Sequence, residues 1–142
     1  MNIALWIVQF FLAAVFFGQG AIKFAPPPNL PLMLHWVLDL HNSSPGLSAF
    51  IGVSELLGAV GLILPGLIKW QPRLTPLAAF SLAIAMSLAA VYHLQRGEMA
   101  NIGINAILFV LTSFVMCGRA CFTLSRWTVA RIEATTTSNK NR

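Results

Sequence analysis

The chain has 142 residues, of which 57% are hydrophobic and 9% are charged, with a formal net charge of +5 and a mean hydropathy of +0.76. So few charges on so apolar a chain exclude a soluble globular domain and predict a membrane protein with several spans. The basic residues flank apolar runs and are therefore interpreted as topology signals. We predict the lipid bilayer, and not nucleic acid, as the main partner of this chain.

The first predicted span covers residues 3–22. Its apolar stretch is too long, and its start too poor in Lys and Arg, for a typical cleaved signal peptide, so we expect it to remain in the mature protein. Gln19 and Lys23 lie four residues apart at its end and share one helical face. Lys23 either anchors the helix end at the membrane surface or reaches Glu55 in the next span.

The loop over residues 25–45 begins with three prolines and continues with an apolar segment that is too short to cross a bilayer. It predicts a short interfacial helix around residues 32–40, with His35 and Asp39 on one face. His35, Asp39 and His41 do not have a recognised metal-ligand spacing, so we predict solvated loop residues and no metal site. Ser44 and Pro45 are typical of a helix cap and first turn.

The second span, residues 46–68, contains Glu55, the most informative residue of the sequence. A carboxylate inside a membrane span costs roughly 2.5–3.5 kcal/mol, so such residues normally face other helices and have a partner. We predict Lys23 as that partner, with His93 as the second choice. Helical spacing also predicts two strips of small or polar residues, which let neighbouring helices approach on two sides and make this span central; the strips are Ser48, Gly52, Glu55 and Ala59, and Ser54, Gly58 and Gly61.

The remaining spans are predicted over residues 76–94 and 100–117. Thr75 and Pro76 repeat the cap pattern at the start of the third span, and His93 lies at its end. Asn105 lies near the start of the fourth span, on one stripe with Asn101 and Thr112, where polar residues often join helices. We expect residues 119–142 to form a basic interfacial segment and a disordered tail, so the transmembrane domain is residues 1–118.

Charge bias predicts the orientation of these spans. Of the nine Lys and Arg residues, Lys23 and Arg96 lie on one side. The other seven lie on the side that holds both termini, so the positive-inside rule predicts that both termini are cytoplasmic. These residues are Lys69, Arg73, Arg119, Arg126, Arg131, Lys140 and Arg142.

Five polar residues from four spans are predicted to lie in the same half of the membrane: Gln19, Lys23, Glu55, His93 and Asn105. A buried polar cluster of this kind can simply fix the packing of the helices. Acid, imidazole and amide groups that converge are also what a quinone or a small polar headgroup would need. The residues alone leave both interpretations open.

Four blocks of the sequence resemble the DoxX-like family of small membrane proteins. They are G-x-G-x-x-K-F at residues 18–24, G-x-x-E-L-L-G-A-x-G-L-I-L-P at 52–65, T-P-L-A-A at 75–79 and H-L-Q-R-G-E at 93–98, with Asn105 beyond. The resemblance covers about residues 3–118 and implies an all-α, integral membrane four-helix bundle in a bacterial inner membrane. The matched polar positions are Lys23, Glu55, His93 and Asn105.

The resemblance leads to two functional hypotheses. In the first, the protein is a non-catalytic membrane subunit or assembly factor, and its polar cluster is structural. In the second, it is a membrane subunit of a quinone-linked oxidoreductase beside another redox subunit, with Glu55 or His93 accepting a proton. We predict no redox centre held by the chain itself. A bis-histidine haem needs two facing imidazoles, and an iron–sulfur cluster usually needs four ligands, whereas the sequence offers one histidine in or at the end of a span and the thiols of Cys117 and Cys121.

Overall fold

The computed structural model of the chain describes residues 2–31, 34–68, 71 and 73–140, and these residues form helices without any strand. This confirms the predicted all-α class. The helices are α1 (Asn2–Phe24), α2 (His35–Ser43), α3 (Pro45–Leu67), α4 (Leu74–Gln95) and α5 (Met99–Lys140). The short α2 lies in the first loop, where the sequence predicted an interfacial helix; residues 32 and 33 of that prediction lie outside the described residues.

Four of the helices are long and apolar enough to cross a membrane, in agreement with the predicted spans. These segments are Ile3–Phe24, Pro45–Leu67, Leu74–Gln95 and Met99–Leu124. Their outward faces carry large apolar side chains, such as Phe50 and Leu57, that are more than half exposed within the protein. A bilayer would cover these side chains, so the chain is a membrane protein.

The four long helices form a bundle in which α1 packs mainly on α3, and α4 mainly on α5. Contacts between α3 and α4 and between α1 and α5 close the bundle. Its apolar core is made of side chains from all four helices, including Leu12, Phe16, Leu62, Met86 and Val115. We call the end where α1 finishes and α3 begins the polar end, and the opposite end, where α4 begins, the basic end.

Small residues set the distance between α3 and its neighbours. A Cβ atom on Gly20 would lie 2.6 Å from the Gly52 carbonyl oxygen, and one on Gly52 would lie 2.7 Å from that of Gly20. The α1 and α3 backbones can therefore touch only because both positions are glycine. On another side of α3, a Cβ atom on Gly58 would meet Leu82 of α4 at 2.6 Å. The predicted central position of this span is thus correct.

The starts of α3 and α4 differ in detail from the predicted caps. Ser44 is the N-cap of α3 and Pro45 its first residue, as predicted, but the Ser44 side chain makes no capping hydrogen bond. The helix α4 begins before Thr75, because the Leu74 amide already donates to the Gln71 carbonyl oxygen at 3.0 Å. Thr75 is therefore buried inside the first turn instead of capping it.

The helix α5 continues well beyond its predicted end at residue 117. It runs to Lys140, whereas the sequence was expected to form an interfacial segment and a disordered tail there. No glycine or proline follows Gly118, so no residue type that ends helices interrupts the backbone hydrogen bonds. The Thr123 and Thr128 hydroxyls donate to carbonyl oxygens one turn earlier in the same helix. The apolar part of α5 ends at Leu124.

Candidate functional site: a buried ion pair beneath a small cavity

Glu55 of α3 and Lys23 of α1 form an ion pair inside the bundle near the polar end. Lys23 Nζ lies 2.5 Å from Glu55 Oε1, and the two residues are 3% and 2% exposed. This is the partner that the sequence predicted first for Glu55. Lys23 Nζ also lies 3.4 Å from Gln19 Oε1, one turn earlier in α1. The ammonium group is thus shared between a carboxylate and a neutral amide.

The contact between Gly20 and Gly52 explains how the lysine reaches the acid. The two glycines lie one turn before Lys23 and one turn before Glu55, so the backbones are closest where the pair forms. Ser48 adds a second link, because its hydroxyl donates to the Lys23 carbonyl oxygen at 2.9 Å. This carbonyl belongs to the last turn of α1, where intrahelical partners run out. The site is therefore held by backbone contacts as well as by charge.

The helix α2 covers the ion pair through Trp36. The Lys23 ammonium nitrogen lies 5.3 Å from the centre of the Trp36 ring, within the range of a cation–π contact. The same ring packs nearly perpendicular to the His93 ring of α4, with ring centres 4.7 Å apart. Trp36 thus joins α1 and α4 across the polar end.

A cavity of about 120 Å³ lies between these groups. Space for a single water needs roughly 10–15 Å³ on the same measure, so the cavity can hold several waters or a small polar group. Its polar lining comes from α1, α4 and α5, and from Trp36 of α2. The polar lining residues are Gln19, Lys23, Trp36, His93, Asn101 and Asn105.

Two buried polar atoms at this site have no hydrogen-bond partner among the described residues. They are Glu55 Oε2 and Asn105 Nδ2. A buried donor or acceptor without a partner typically costs about 1–3 kcal/mol, so such atoms are commonly satisfied by water or a ligand. Asn105 lines the cavity, and its amide can donate to an oxygen atom placed there.

A second layer of charges closes the polar end outside the cavity. His93 Nδ1 donates to Glu98 Oε2 at 2.6 Å, and Arg96 Nε donates to Glu98 Oε1 at 2.7 Å. Arg96 Nη2 also donates to Asp39 Oδ2 of α2 at 2.7 Å. Gly97, with a φ of +70°, provides the tight turn that brings Glu98 back to His93. Arg96 therefore ties the helix that carries Trp36 to the α4–α5 turn.

Glu98 is the electrostatic centre of this outer layer. Partial burial raises the pKa of its carboxyl, but hydrogen bonds from Arg96, Asn101 and His93 outweigh that effect and lower the pKa to about 2. The carboxylate is consequently charged over the whole physiological pH range. It holds His93 in place from the loop side.

The five predicted site residues lie at the same end of the bundle but fall into two groups. Gln19, Lys23, His93 and Asn105 line the cavity. Glu55 joins them through its bond to Lys23. His93, the second predicted partner of Glu55, pairs with Glu98 instead. Whether this cluster binds a ligand stays a prediction.

Sequence reasoning missed a second buried polar cluster, in the half of the bundle toward the basic end. Gln9 of α1 is completely buried, its amide donates to the Leu62 carbonyl oxygen at 2.5 Å, and its Oε1 accepts from Arg119 of α5. The Arg119 guanidinium also lies 4.8 Å from the centre of the Trp6 ring. A signal was present, because Gln9 is a single amide within an apolar run, but an amide does not indicate its partner.

One of the comparisons with known proteins assigns a family to the chain. A sequence profile of the DoxX-like family matches residues 7–115, which include most of α1, all of α2 to α4, the first part of α5 and every residue of the ion pair and cavity. The chain belongs to the DoxX-like family. Searches of curated proteins and of solved structures each gave no match. The family assignment confirms the predicted resemblance and assigns no reaction to this DoxX-like protein.

Proposed function

We propose that this protein is a non-catalytic membrane subunit or assembly factor, in which the buried polar cluster stabilises the bundle. The observation that carries the proposal is the ion pair. Lys23 Nζ and Glu55 Oε1 lie 2.5 Å apart, both side chains are almost fully buried, and each charge neutralises the other. A charge that must exchange protons with a substrate needs access to it. The outward faces of the helices, in contrast, offer extensive apolar surface to other membrane proteins or to lipid.

The second candidate is a membrane subunit of a quinone-linked oxidoreductase. The observation that favours it is the unpartnered Asn105 Nδ2 at the cavity, because a quinone carbonyl oxygen would accept this hydrogen bond. His93, also on the cavity wall, supplies an imidazole, the side-chain group that most often serves as a general base. The chain itself would supply no redox centre, so electrons would pass between a bound quinone and a partner subunit.

A charge-free variant separates the two candidates. Glu55→Leu combined with Lys23→Leu removes both buried charges together, which is often tolerated where removal of one is not. If the pair is structural, the double variant should fold and purify with the same membrane partners as the wild type. Loss of quinone-dependent activity in a folded double variant that keeps its partners would favour the oxidoreductase subunit.

Direct extraction of quinone tests the second candidate independently. The wild-type protein, purified in mild detergent, should then carry quinone at close to one per chain, and Asn105→Leu should lose it. Thr112→Val is the matched control, because Thr112 lies two turns further along α5 and its hydroxyl donates to its own helix. Wild-type protein that is purified from quinone-containing native membranes and carries no quinone would argue against a quinone site.

The bacterial inner membrane, with both termini in the cytoplasm, is the location that the charge bias and the family favour. Four spans place the start of α1 and the Leu124 end of α5 on one side. Ser43, which is exposed in α2, is the reporter position. In a background with Cys117 and Cys121 changed to Ser, Ser43→Cys should react with an impermeant thiol reagent in intact cells. Labelling of this cysteine only after cell lysis would show that the orientation is the reverse, with both termini outside the cytoplasm.

A further inference from the structure

A second and larger cavity lies at the basic end, between α4 and the distal part of α5. Its volume is about 600 Å³, and its lining combines two arginines with hydroxyl and apolar groups. Arg73 precedes the first residue of α4, and Arg131 lies in α5 beyond the apolar segment. We call this cavity the arginine pocket. Among the described residues, it shares none of its lining with the cavity at the polar end.

The distribution of charge around the arginine pocket favours an anionic ligand. Three of the four acidic residues of the chain lie at the polar end, where each forms an ion pair with a basic side chain. They are Asp39, Glu55 and Glu98. The topology predicted from the sequence assigns seven of the nine basic residues to the side of the membrane that holds Arg73 and Arg131. An arginine has five N–H donors, so each guanidinium can bind a phosphate oxygen while it keeps another contact.

The position of the pocket along the bundle corresponds to the level of lipid headgroups. The membrane segment of α4 begins at Leu74, directly after Arg73, and that of α5 ends at Leu124. Arg131 lies seven residues further, or about 10 Å along the helix. Pro76, Ala120 and Leu124 line the part of the pocket nearer to the hydrocarbon. A charged mouth above an apolar floor matches the two parts of a phospholipid.

We propose that the arginine pocket binds an anionic phospholipid, with the phosphate between Arg73 and Arg131 and an acyl chain against Pro76, Ala120 and Leu124. The threonines select the headgroup. The Thr123 and Thr128 hydroxyls both line the pocket, and both donate their hydrogen to a carbonyl oxygen of α5, at 2.8 and 3.1 Å. Their lone pairs remain as acceptors for headgroup hydroxyl groups. Phosphatidylglycerol, with an anionic phosphate and a glycerol headgroup, meets both requirements.

Native mass spectrometry of the full chain in neutral detergent tests this inference. Phosphatidylglycerol should stay bound at one per chain under conditions that remove phosphatidylcholine. The double variant Arg73→Gln, Arg131→Gln should bind phosphatidylglycerol about 30-fold more weakly, because each basic residue adds to the attraction of anionic lipid. Arg96→Gln is the matched control: it removes the same charge at the opposite end of α4 and should leave the affinity unchanged.

Several results would overturn the proposal. Equal retention of phosphatidylcholine and phosphatidylglycerol by the wild type would exclude a headgroup-selective site, and this comparison needs no variant. A folded double variant that binds phosphatidylglycerol as tightly as the wild type would show that the two arginines do not bind the phosphate. If the double variant does not fold, Arg131→Gln alone, at an exposed position outside the span, replaces it.

Two further lipid and ion measurements identify the ligand chemistry. Phosphatidylmethanol, which has the same singly charged phosphodiester but no headgroup hydroxyl groups, should bind more weakly than phosphatidylglycerol; equal binding would refute the role of Thr123 and Thr128. Inorganic phosphate at millimolar concentration should not displace the lipid. Displacement by phosphate alone would show that a free anion is the ligand and would refute the lipid site. These outcomes do not depend on the function of the cluster at the polar end.

Discussion

The two buried polar clusters of this protein accommodate a basic side chain inside the helix bundle in different ways. At the polar end, the Lys23 charge is balanced by the opposite charge of Glu55. Toward the basic end, the contacts of the Arg119 charge within the described part of the chain are to neutral groups, the Oε1 of Gln9 and the Trp6 ring. Removing one member of a buried salt bridge strongly destabilises the folded protein, because an unpaired charge remains inside the membrane. A cation on an amide oxygen near the membrane surface can turn to water or headgroups instead.

The comparison predicts its largest effect at Glu55. Glu55→Leu leaves the Lys23 ammonium group buried without a counter-charge, which typically costs about 3–5 kcal/mol. We expect a large loss of thermal stability and yield in detergent. Adding Lys23→Leu should restore most of the loss. A double variant no more stable than Glu55→Leu would show that the pair is not the source of the effect.

The second prediction tests how much the close backbone contact between α1 and α3 contributes to stability, apart from the ion pair. Gly20→Ala places a methyl group 2.6 Å from the Gly52 carbonyl oxygen, so α1 and α3 must move apart, which typically costs about 1–3 kcal/mol. Gly18→Ala is the control on the same helix, because its methyl group meets nothing within 4 Å. Unfolding in detergent should distinguish the two variants. Equal stabilities would mean that the close approach contributes little.

A smaller effect is expected at the neutral cluster. Gln9→Leu removes the acceptor of Arg119 and the donor to the Leu62 carbonyl oxygen. Hydrogen bonds between membrane helices contribute about 0.6 kcal/mol on average, so we expect a loss of about 1–2 kcal/mol for the two contacts. The loss should be clearly below that of Glu55→Leu under the same detergent conditions. A loss as large as that of Glu55→Leu would remove the distinction between the clusters.

The smallest effect concerns the outer layer and depends on pH. Because the pKa of Glu98 falls from an ordinary 4.5 to about 2 in the folded protein, its stabilising contribution is complete above about pH 4.5 and is lost as the pH falls toward 2. Glu98→Gln should reduce stability at pH 6 by less than about 1 kcal/mol. The difference between variant and wild type should shrink between pH 4.5 and 2; a constant difference would contradict the assignment.

The sequence was sufficient for the spans and for the ion pair, for a simple physical reason. A charge inside an apolar run has few acceptable surroundings, so Glu55 and Lys23 restrict each other strongly. Gln9 imposes no comparable restriction, because a neutral amide can bond to many helices. The pairing of His93 with Glu98 depends on the turn at Gly97, and the position of Trp36 depends on how α2 folds back. Both are tertiary features that helical periodicity does not specify.

During membrane insertion, the two charges of the ion pair enter the bilayer one after the other. Glu55 follows Lys23 by 32 residues, which corresponds to about 2–6 s of synthesis at typical translation rates. Lys23 can wait at the membrane surface, since its long side chain reaches the headgroups from the end of α1. Glu55 lies in the middle of α3, and its short side chain cannot reach the headgroups. The first helix, which enters the membrane earlier, therefore holds the counter-charge that Glu55 needs when α3 arrives.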